Sequence, residues 1–246
     1  MRHLASSVIL AVVCAVPAAP ADAQPLPRIT ISINGGYQPS TTHFDDRFTF
    51  DLSHETASVE TAYPVDAGPL FDAGFGLRLW KGLGVGVAVS RFSGDGTVAV
   101  SASLPHPLFF QRPRNVSGET SGIAREETGV HVQAQYQLPP FGKLYVVAFG
   151  GPSVLDIKQS IVTDVNFTEE YPYDTASFVG VDSRRITGTA TGFNVGADFR
   201  WMFTRHFGAG GLVRFTRAKV DLEIDNRTVR VDAGGAQVGA GVRLAF

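Results

Sequence analysis

Cysteine is almost missing from this chain of 246 residues: there is one, Cys14. It lies within the first apolar run, so a disulfide framework of the kind that holds small secreted domains together is excluded. Helix-length apolar runs are missing too. The run Val8–Val16 is too short to cross a bilayer as a helix, which takes ~20 residues, and no later stretch reaches that length. Lysine occurs at only four positions, Lys81, Lys143, Lys158 and Lys219, and the 21 basic residues are outnumbered by 23 acidic ones. That balance leaves no basic face for nucleic acid.

The N-terminus has a different character. Arg2 and His3 precede the apolar run, and "ADA" at 21–23 follows it. A positive start, a short apolar stretch and a small-x-small site predict a secretory signal over residues 1–23, with one domain over 24–246. Val13, before Cys14, is not the small residue that a lipoprotein signal prefers, so Cys14 is expected to leave with the leader. A secreted domain without disulfides needs a large core or a membrane to hold it.

What is abundant is alternation. The last stretch, "AGGAQVGAGVRLAF", sets Ala236, Val238, Ala240, Val242 and Leu244 against Gly235, Gln237, Gly239, Gly241 and Arg243. A period of two gives a strand with one apolar face and one face that accepts charge. Seven further segments alternate in the same way. Ile29, Ile31 and Ile33 oppose Ser32 and Asn34, and Phe71, Phe75 and Leu77 oppose Asp72 and Arg78. Val85, Val87 and Val89 oppose Gly84, Gly86 and Ser90. Val130, Val132 and Tyr136 oppose His131, Gln133, Gln135 and Gln137. Tyr145, Val147 and Phe149 share one face of a less regular segment. Phe193, Val195, Phe199 and Trp201 oppose Asn194, Asp198 and Arg200, and Val213 and Phe215 oppose Arg214.

The connections alternate as well. Short ones at 80–83, 139–143 and 204–206 separate long ones at 39–68, 92–125, 156–185 and 217–229. All short turns, and both ends of the domain, therefore lie at one end of the strands. Trp80, Phe141, Phe203, Phe207 and Phe246 gather there. Strands of ~10 residues, short turns on one side, long loops on the other and an aromatic girdle predict an all-β fold. It is an eight-stranded antiparallel up-and-down transmembrane β-barrel with long outer loops, the apolar face meeting lipid and the polar face filling the interior. Its place is a bacterial outer membrane.

With the "ADA" leader, the eight alternating strands and the closing "GVRLAF", the chain resembles the small outer-membrane β-barrel family of the OmpA transmembrane-domain type. In that family a last strand ending in Phe is read by the barrel assembly machinery. The resemblance gives that part to Val242, Leu244 and Phe246. It implies a partnership with outer-membrane lipids, while no motif in the long loops names an extracellular ligand. A monomer is expected.

Chemistry is sparse. "GLGVGV" at 82–87 has glycines but no following helix to hold a pyrophosphate, so no cofactor is expected. His131 is the one histidine within a spanning strand, and its parity points inward without a serine two residues later. Asp51 with His54 is the nearest approach to an outer-rim protease pair. Asp156, Asp164, Glu169, Glu170, Asp174 and Asp182 crowd the third long loop, but their spacing fits no metal-binding loop. They read as solvated surface, with bridging to lipopolysaccharide the alternative. No catalytic or metal residue is expected, and an outer-membrane lipid-modifying enzyme ranks last among the readings.

Parity places Asp72, Arg78, His131, Gln133, Gln135, Asp198, Arg200, Arg214 and Arg243 in the interior. An eight-stranded barrel is just wide enough for side chains to fill it. The expected role is structural or that of a narrow pore, with these side chains closing the lumen. The alternative is binding or adhesion through the long loops. After Val89 and again after Phe215 the apolar parity switches, to Phe92, Val98 and Val100 and to Ala218, Val220 and Leu222. The walls are thus expected to continue as hairpins above the bilayer, with bulges near 90–92 and 215–217.

Overall fold

Strands dominate because nearly every segment alternates and none carries a helical period. The structure is a computed structural model that describes residues 27–39, 43–64, 66–225 and 227–246. The expected leader, 1–23, lies outside the described residues. Ten antiparallel strands are present: β1 (Ile29–Gln38), β2 (His43–Leu52), β3 (Glu55–Pro64), β4 (Gly68–Trp80), β5 (Leu83–Leu104), β6 (Arg114–Gln137), β7 (Leu144–Glu169), β8 (Ala176–Met202), β9 (Phe207–Ile224) and β10 (Arg227–Ala245). No helix occurs among the described residues.

Eight strands close a ring in the order β1-β4-β5-β6-β7-β8-β9-β10. The seam pairs Ile31 with Leu244 and Tyr37 with Val238. The terminal Phe246 completes it, its N–H donating to Ile29 O at 2.9 Å and its carbonyl accepting from Arg28 N at 2.6 Å. The hairpin β2–β3 fills the first long connection, and β3 joins the ring from outside by pairing Ser58–Ala62 with Ala99–Ser103 of β5.

Strand lengths divide the molecule in two. β1 and β4 have 10 and 13 residues, whereas β5 to β8 have 22 to 27. The whole ring therefore exists only beside the short turns. Beyond it, β5–β6, β7–β8 and β9–β10 continue as hairpins, and β2–β3 stands where β1 and β4 have ended.

The expected bulges are absent at both sites. Ser90, Arg91 and Phe92 pair in unbroken register with Asp72, Phe71 and Leu70 on one side and with Gly129, Thr128 and Glu127 on the other. Phe215, Thr216 and Arg217 are equally regular. The same face stays inside throughout: Ser90, Phe92, Val98 and Val100 are all buried, as are Arg214, Thr216, Ala218 and Val220. What changes is the medium outside. Within the lower ring the outward residues are apolar and the inward ones, outside β7, are mostly polar. Above it the inward residues are mostly apolar, with the buried pair Arg125–Glu127 and Gln159 among them, and the outward ones polar. A strand leaving hydrocarbon for water inverts its pattern without any change of direction. The β5–β6 ladder does shift further on, where Thr97 alone faces Ser121 and Gly122; the latter, with φ +83°, takes a conformation that suits glycine.

The upper core is extensive. Phe44, Phe48, Val59, Val100, Leu104, Ile157, Ile161, Val220 and Ile224 are among its buried side chains. Phe44 stacks on Tyr63 at 4.5 Å, and the Tyr63 hydroxyl crosses to β7 to accept from Val162 N at 2.8 Å. Burial pushes the Tyr63 phenol up, and it does the same to the Asp46 carboxyl although Arg227 lies 3.0 Å away. The Arg227 guanidinium also lies 4.3 Å over the Phe48 ring. These contacts fasten the β2–β3 hairpin to β7 and β10.

One interruption falls in the lower ring. The β6–β7 ladder skips from His131–Ser153 to Ala134–Gly150, because Pro152 has no N–H to donate. Asn194 reaches across from β8, its Nδ2 lying 3.0 Å from Gly151 O and 3.3 Å from Pro152 O. A lumenal side chain thus satisfies carbonyls that a lipid-facing wall cannot leave bare.

Candidate functional site

Inward parity on β1, β4, β8, β9 and β10 brings side chains from distant parts of the sequence into one lumenal network. At its short-turn end, Asp198 accepts from Arg200 Nε at 2.5 Å and from Arg243 Nη2 at 2.5 Å. Arg243 Nη1 donates to Asn34 Oδ1 at 2.7 Å, and Asn34 Nδ2 donates to Asp72 Oδ1 at 2.9 Å. The other Asp72 oxygen accepts from Arg214 Nη1 at 2.8 Å. Arg214 Nε donates to Gln237 Oε1 at 2.7 Å, and Gln237 donates in turn to Gln38 at 2.7 Å. The path runs unbroken from Arg200 to Gln38 up the barrel.

A second branch crosses from β5 to β8. His131 is fully buried, with Ser90 Oγ 2.9 Å from Nε2 and Ser153 Oγ 2.8 Å from Nδ1. Asn194 donates to Ser153 Oγ at 2.9 Å and accepts from Gln133 Nε2 at 3.2 Å. Gln135 donates to Gln133 at 3.3 Å. Arg78 stands lower, at the mouth, donating to Pro27 O at 3.1 Å and to Lys81 O at 3.2 Å. Gln137, which parity also points inward, is buried without a partner on its Nε2.

Asn34, Gln38, Ser90, Ser153, Asn194 and Gln237 were not singled out from the sequence, although the network passes through them. Inward parity was visible for most of them, but a neutral side chain carries no mark that a charge rests on it. Tyr145, Val147 and Phe149 share a face, and it is the lumenal one: all three are buried. With Met202 and Ala245, Tyr145 forms a small apolar plug at the short-turn mouth.

The arrangement fills space. Cavities beside Asp72, Arg214 and Asp198 and beside Arg78 and Gln137 hold about 30 and 10 Å³, room for a few water molecules at most. Ser90 and His131 have the spacing of a nucleophile and its base. Ser90 is buried in that filled lumen, and His131 is held by a second serine rather than by a carboxylate. Asp51 and His54, by contrast, are both exposed beside the β2–β3 turn. Among the described residues no three His, Cys, Asp or Glu side chains are grouped to hold a metal.

The outward band completes the picture. Ile33, Phe75, Val87, Val132, Phe193, Trp201, Val213 and Val242 are exposed on the lower ring, and Trp80, Phe141, Phe203, Phe207 and Phe246 rim its short-turn end. The sequence matches the family described as outer membrane protein beta-barrel domain over residues 6–246. The chain belongs to that family. This outer-membrane barrel therefore sits in the bacterial outer membrane, its apolar band in lipid. Solved structures similar to it include the outer membrane protein OprG from Pseudomonas aeruginosa, with 9% identity and a TM-score of 0.48 over 90% of this chain and 96% of that one. The outer membrane protease OmpT from Escherichia coli has 8% identity and a TM-score of 0.49 over 89% and 97%. Neisserial surface protein A has 14% identity and a TM-score of 0.39 over 89% and 97%. No curated protein sequence matches the chain significantly.

Proposed function

We propose that this barrel is a closed structural element of the outer membrane, which conducts no solute and holds a rigid β-extension at the cell surface. The observation that carries the reading is the double filling of the lumen. A charged and amide network with Tyr145, Val147 and Phe149 occupies the membrane-embedded part, and a mainly apolar core with the buried pair Arg125–Glu127 occupies the extension, which supports a lumen without a continuous water path. Three lumenal guanidiniums, Arg200, Arg214 and Arg243, meet two carboxylates, Asp72 and Asp198, and neutral amides bridge the two groups. Planar-bilayer recordings of the purified protein are expected to show no steady conductance. Steady anion-selective channels, weakened by Arg200→Ala or Arg243→Ala, would overturn the reading in favour of a pore.

Two partnerships go with this role. Arg91 and Arg217 face outward two residues beyond the lipid-facing Val89 and Phe215, beside Glu126 and Asp232, and we infer that they meet lipopolysaccharide phosphates. The C-terminal Val242, Leu244 and Phe246 offer the assembly machinery its signal. A surface ligand is the second reading, and a cleft of about 750 Å³ favours it. Asp45, Arg47, Glu60, Ser101 and Glu119 line this cleft, where β2–β3 meets β5–β6. Deleting the β2–β3 hairpin would remove such binding while the lower ring still folds.

A further inference from the structure

The farthest point of the extension from the membrane is also among its most apolar exposed surfaces. The β5–β6 turn carries Leu108, Phe109 and Phe110 in succession, 58, 54 and 74% exposed, and the neighbouring β7–β8 turn adds Tyr171, 81% exposed. Elsewhere on the extension the outward residues are largely polar, so these four are not simply the rest of its surface.

The tip is held in place rather than loose. Arg114 binds Glu169 at 2.5 Å, Tyr173 O at 3.1 Å and Pro105 O at 2.8 Å, tying the two turns together. Arg112 and His106 both face Asp174, at 3.1 and 3.6 Å. Gln111 N donates to Glu55 at the end of the β2–β3 hairpin. The Phe109 ring is gripped by His106 at 5.0 Å and by Arg112 at 5.7 Å. Three surface hairpins thus fix one convex aromatic point.

Height decides which lipid it can meet. Ser90 to Leu104 spans 15 residues above the last lipid-facing valine of β5. At ~3.3 Å per residue and a strand tilt of ~40°, the tip stands about 40 Å above its own bilayer. Charge decides what kind of lipid. Arg112 and Arg114 are outnumbered by Glu169, Glu170 and Asp174, so the tip is net acidic and disfavours an anionic surface.

We propose that Leu108, Phe109, Phe110 and Tyr171 form a lipid-contact tip that enters the headgroup zone of a second, zwitterionic bilayer. Aromatic side chains favour that zone, where an apolar ring and a polar edge are both accommodated. A fluid bilayer closes around a convex point, whereas a protein partner needs a matching socket. The proposal rests on the outward orientation of the long hairpins and not on the closure of the lumen, so a conductance result leaves it standing.

The test places the full-length protein in lipid nanodiscs and adds phosphatidylcholine vesicles with bromine on their acyl chains. In the Phe110→Trp variant the new indole is expected to shift to the blue and to be quenched by the vesicles. Trp80 and Trp201, in the protein's own bilayer, should stay unquenched. The protein should float with the vesicles, insensitively to salt. The triple variant Leu108→Ser, Phe109→Ser, Phe110→Ser should float at least tenfold less, while its heat-modifiable gel migration shows the barrel intact. Three results would overturn the proposal: an unquenched indole in the Phe110→Trp variant, flotation abolished by salt or seen only with anionic vesicles, or tip-dependent pairing of the protein with itself in the absence of vesicles.

Discussion

Asp198 is the carboxylate on which two lumenal guanidiniums, Arg200 and Arg243, converge. Removing one partner of a buried pair leaves the other charged and uncompensated, which costs roughly 3–5 kcal/mol. Asp198→Ala is expected to destabilise the barrel by that order, read as a lower urea midpoint in detergent. Asp198→Asn, which keeps a hydrogen-bond acceptor, should cost less. On the outside the stakes are smaller. Glu126 accepts from Arg185 at 2.6 Å and faces Arg91 at 3.4 Å; the hydrogen bond from Arg185 holds its carboxyl below its usual 4.5. A lowered carboxylate pKa gives stability that is full above about pH 4.5 and fades as acid protonates the folded form. Glu126→Gln should abolish this acid dependence of the extension and cost under about 1 kcal/mol at neutral pH, less still in salt. Thermal melts of the extension at pH 7 and pH 3 check both statements.

Each long strand is one continuous element that crosses two solvents, and its halves are expected to fail differently. Val89 faces lipid and Phe92, three residues on, is buried inside the barrel at the top of the complete ring, beneath the upper core. Val89→Asp places a charge in hydrocarbon at the outer edge of the band and should reduce the fraction assembled in the membrane. Phe92→Asp leaves that face untouched. It should let the ring assemble with normal heat-modifiable migration, while the hairpins above it become sensitive to protease. Equal assembly defects for the two variants would mean that ring and extension fold as a single unit. The inversion also explains why the alternation suggested bulges. In a soluble sheet with one buried face, a switch of apolar parity means that the strand has turned over. Here the buried face never moves, and only the solvent outside it changes.

The whole molecule then has a fixed direction. Short turns and the C-terminus share one end, and the aromatic tip and four hairpin ends share the other. Protease added to intact cells should cut only in the hairpin ends, at the β2–β3 turn (53–54), around 105–113, around 170–175 and between β9 and β10. Lys81 and Lys143, in the short turns, should survive until the outer membrane is opened. Cleavage at either lysine in intact cells would reverse the orientation.

How much of this could be read beforehand follows from the range of each interaction. Strand identity, the outward faces of β1, β4, β6, β8, β9 and β10, the order of short and long connections and the terminal Phe246 are local: a period of two, a turn length or an end position is written in adjacent residues. Inward parity for Asp72, Asp198, Arg200, Arg214 and Arg243 was equally local. Which carboxylate meets which guanidinium was not, because Arg243 and Asp198 are 45 residues apart and Arg214 and Asp72 are 142 apart. Only closure of the ring sets those distances. Tyr145, Val147 and Phe149 show the same limit: they are apolar on one face, and nothing near them in the chain says whether lipid or lumen lies beyond. Within the long connections the switched parity of Val98, Val100, Ala218, Val220 and Leu222 marked an apolar face, but not that these faces meet in one core, since its residues come from several hairpin arms and cohere only once those arms stand side by side. Pattern along a chain records which faces differ; tertiary structure decides what each face meets.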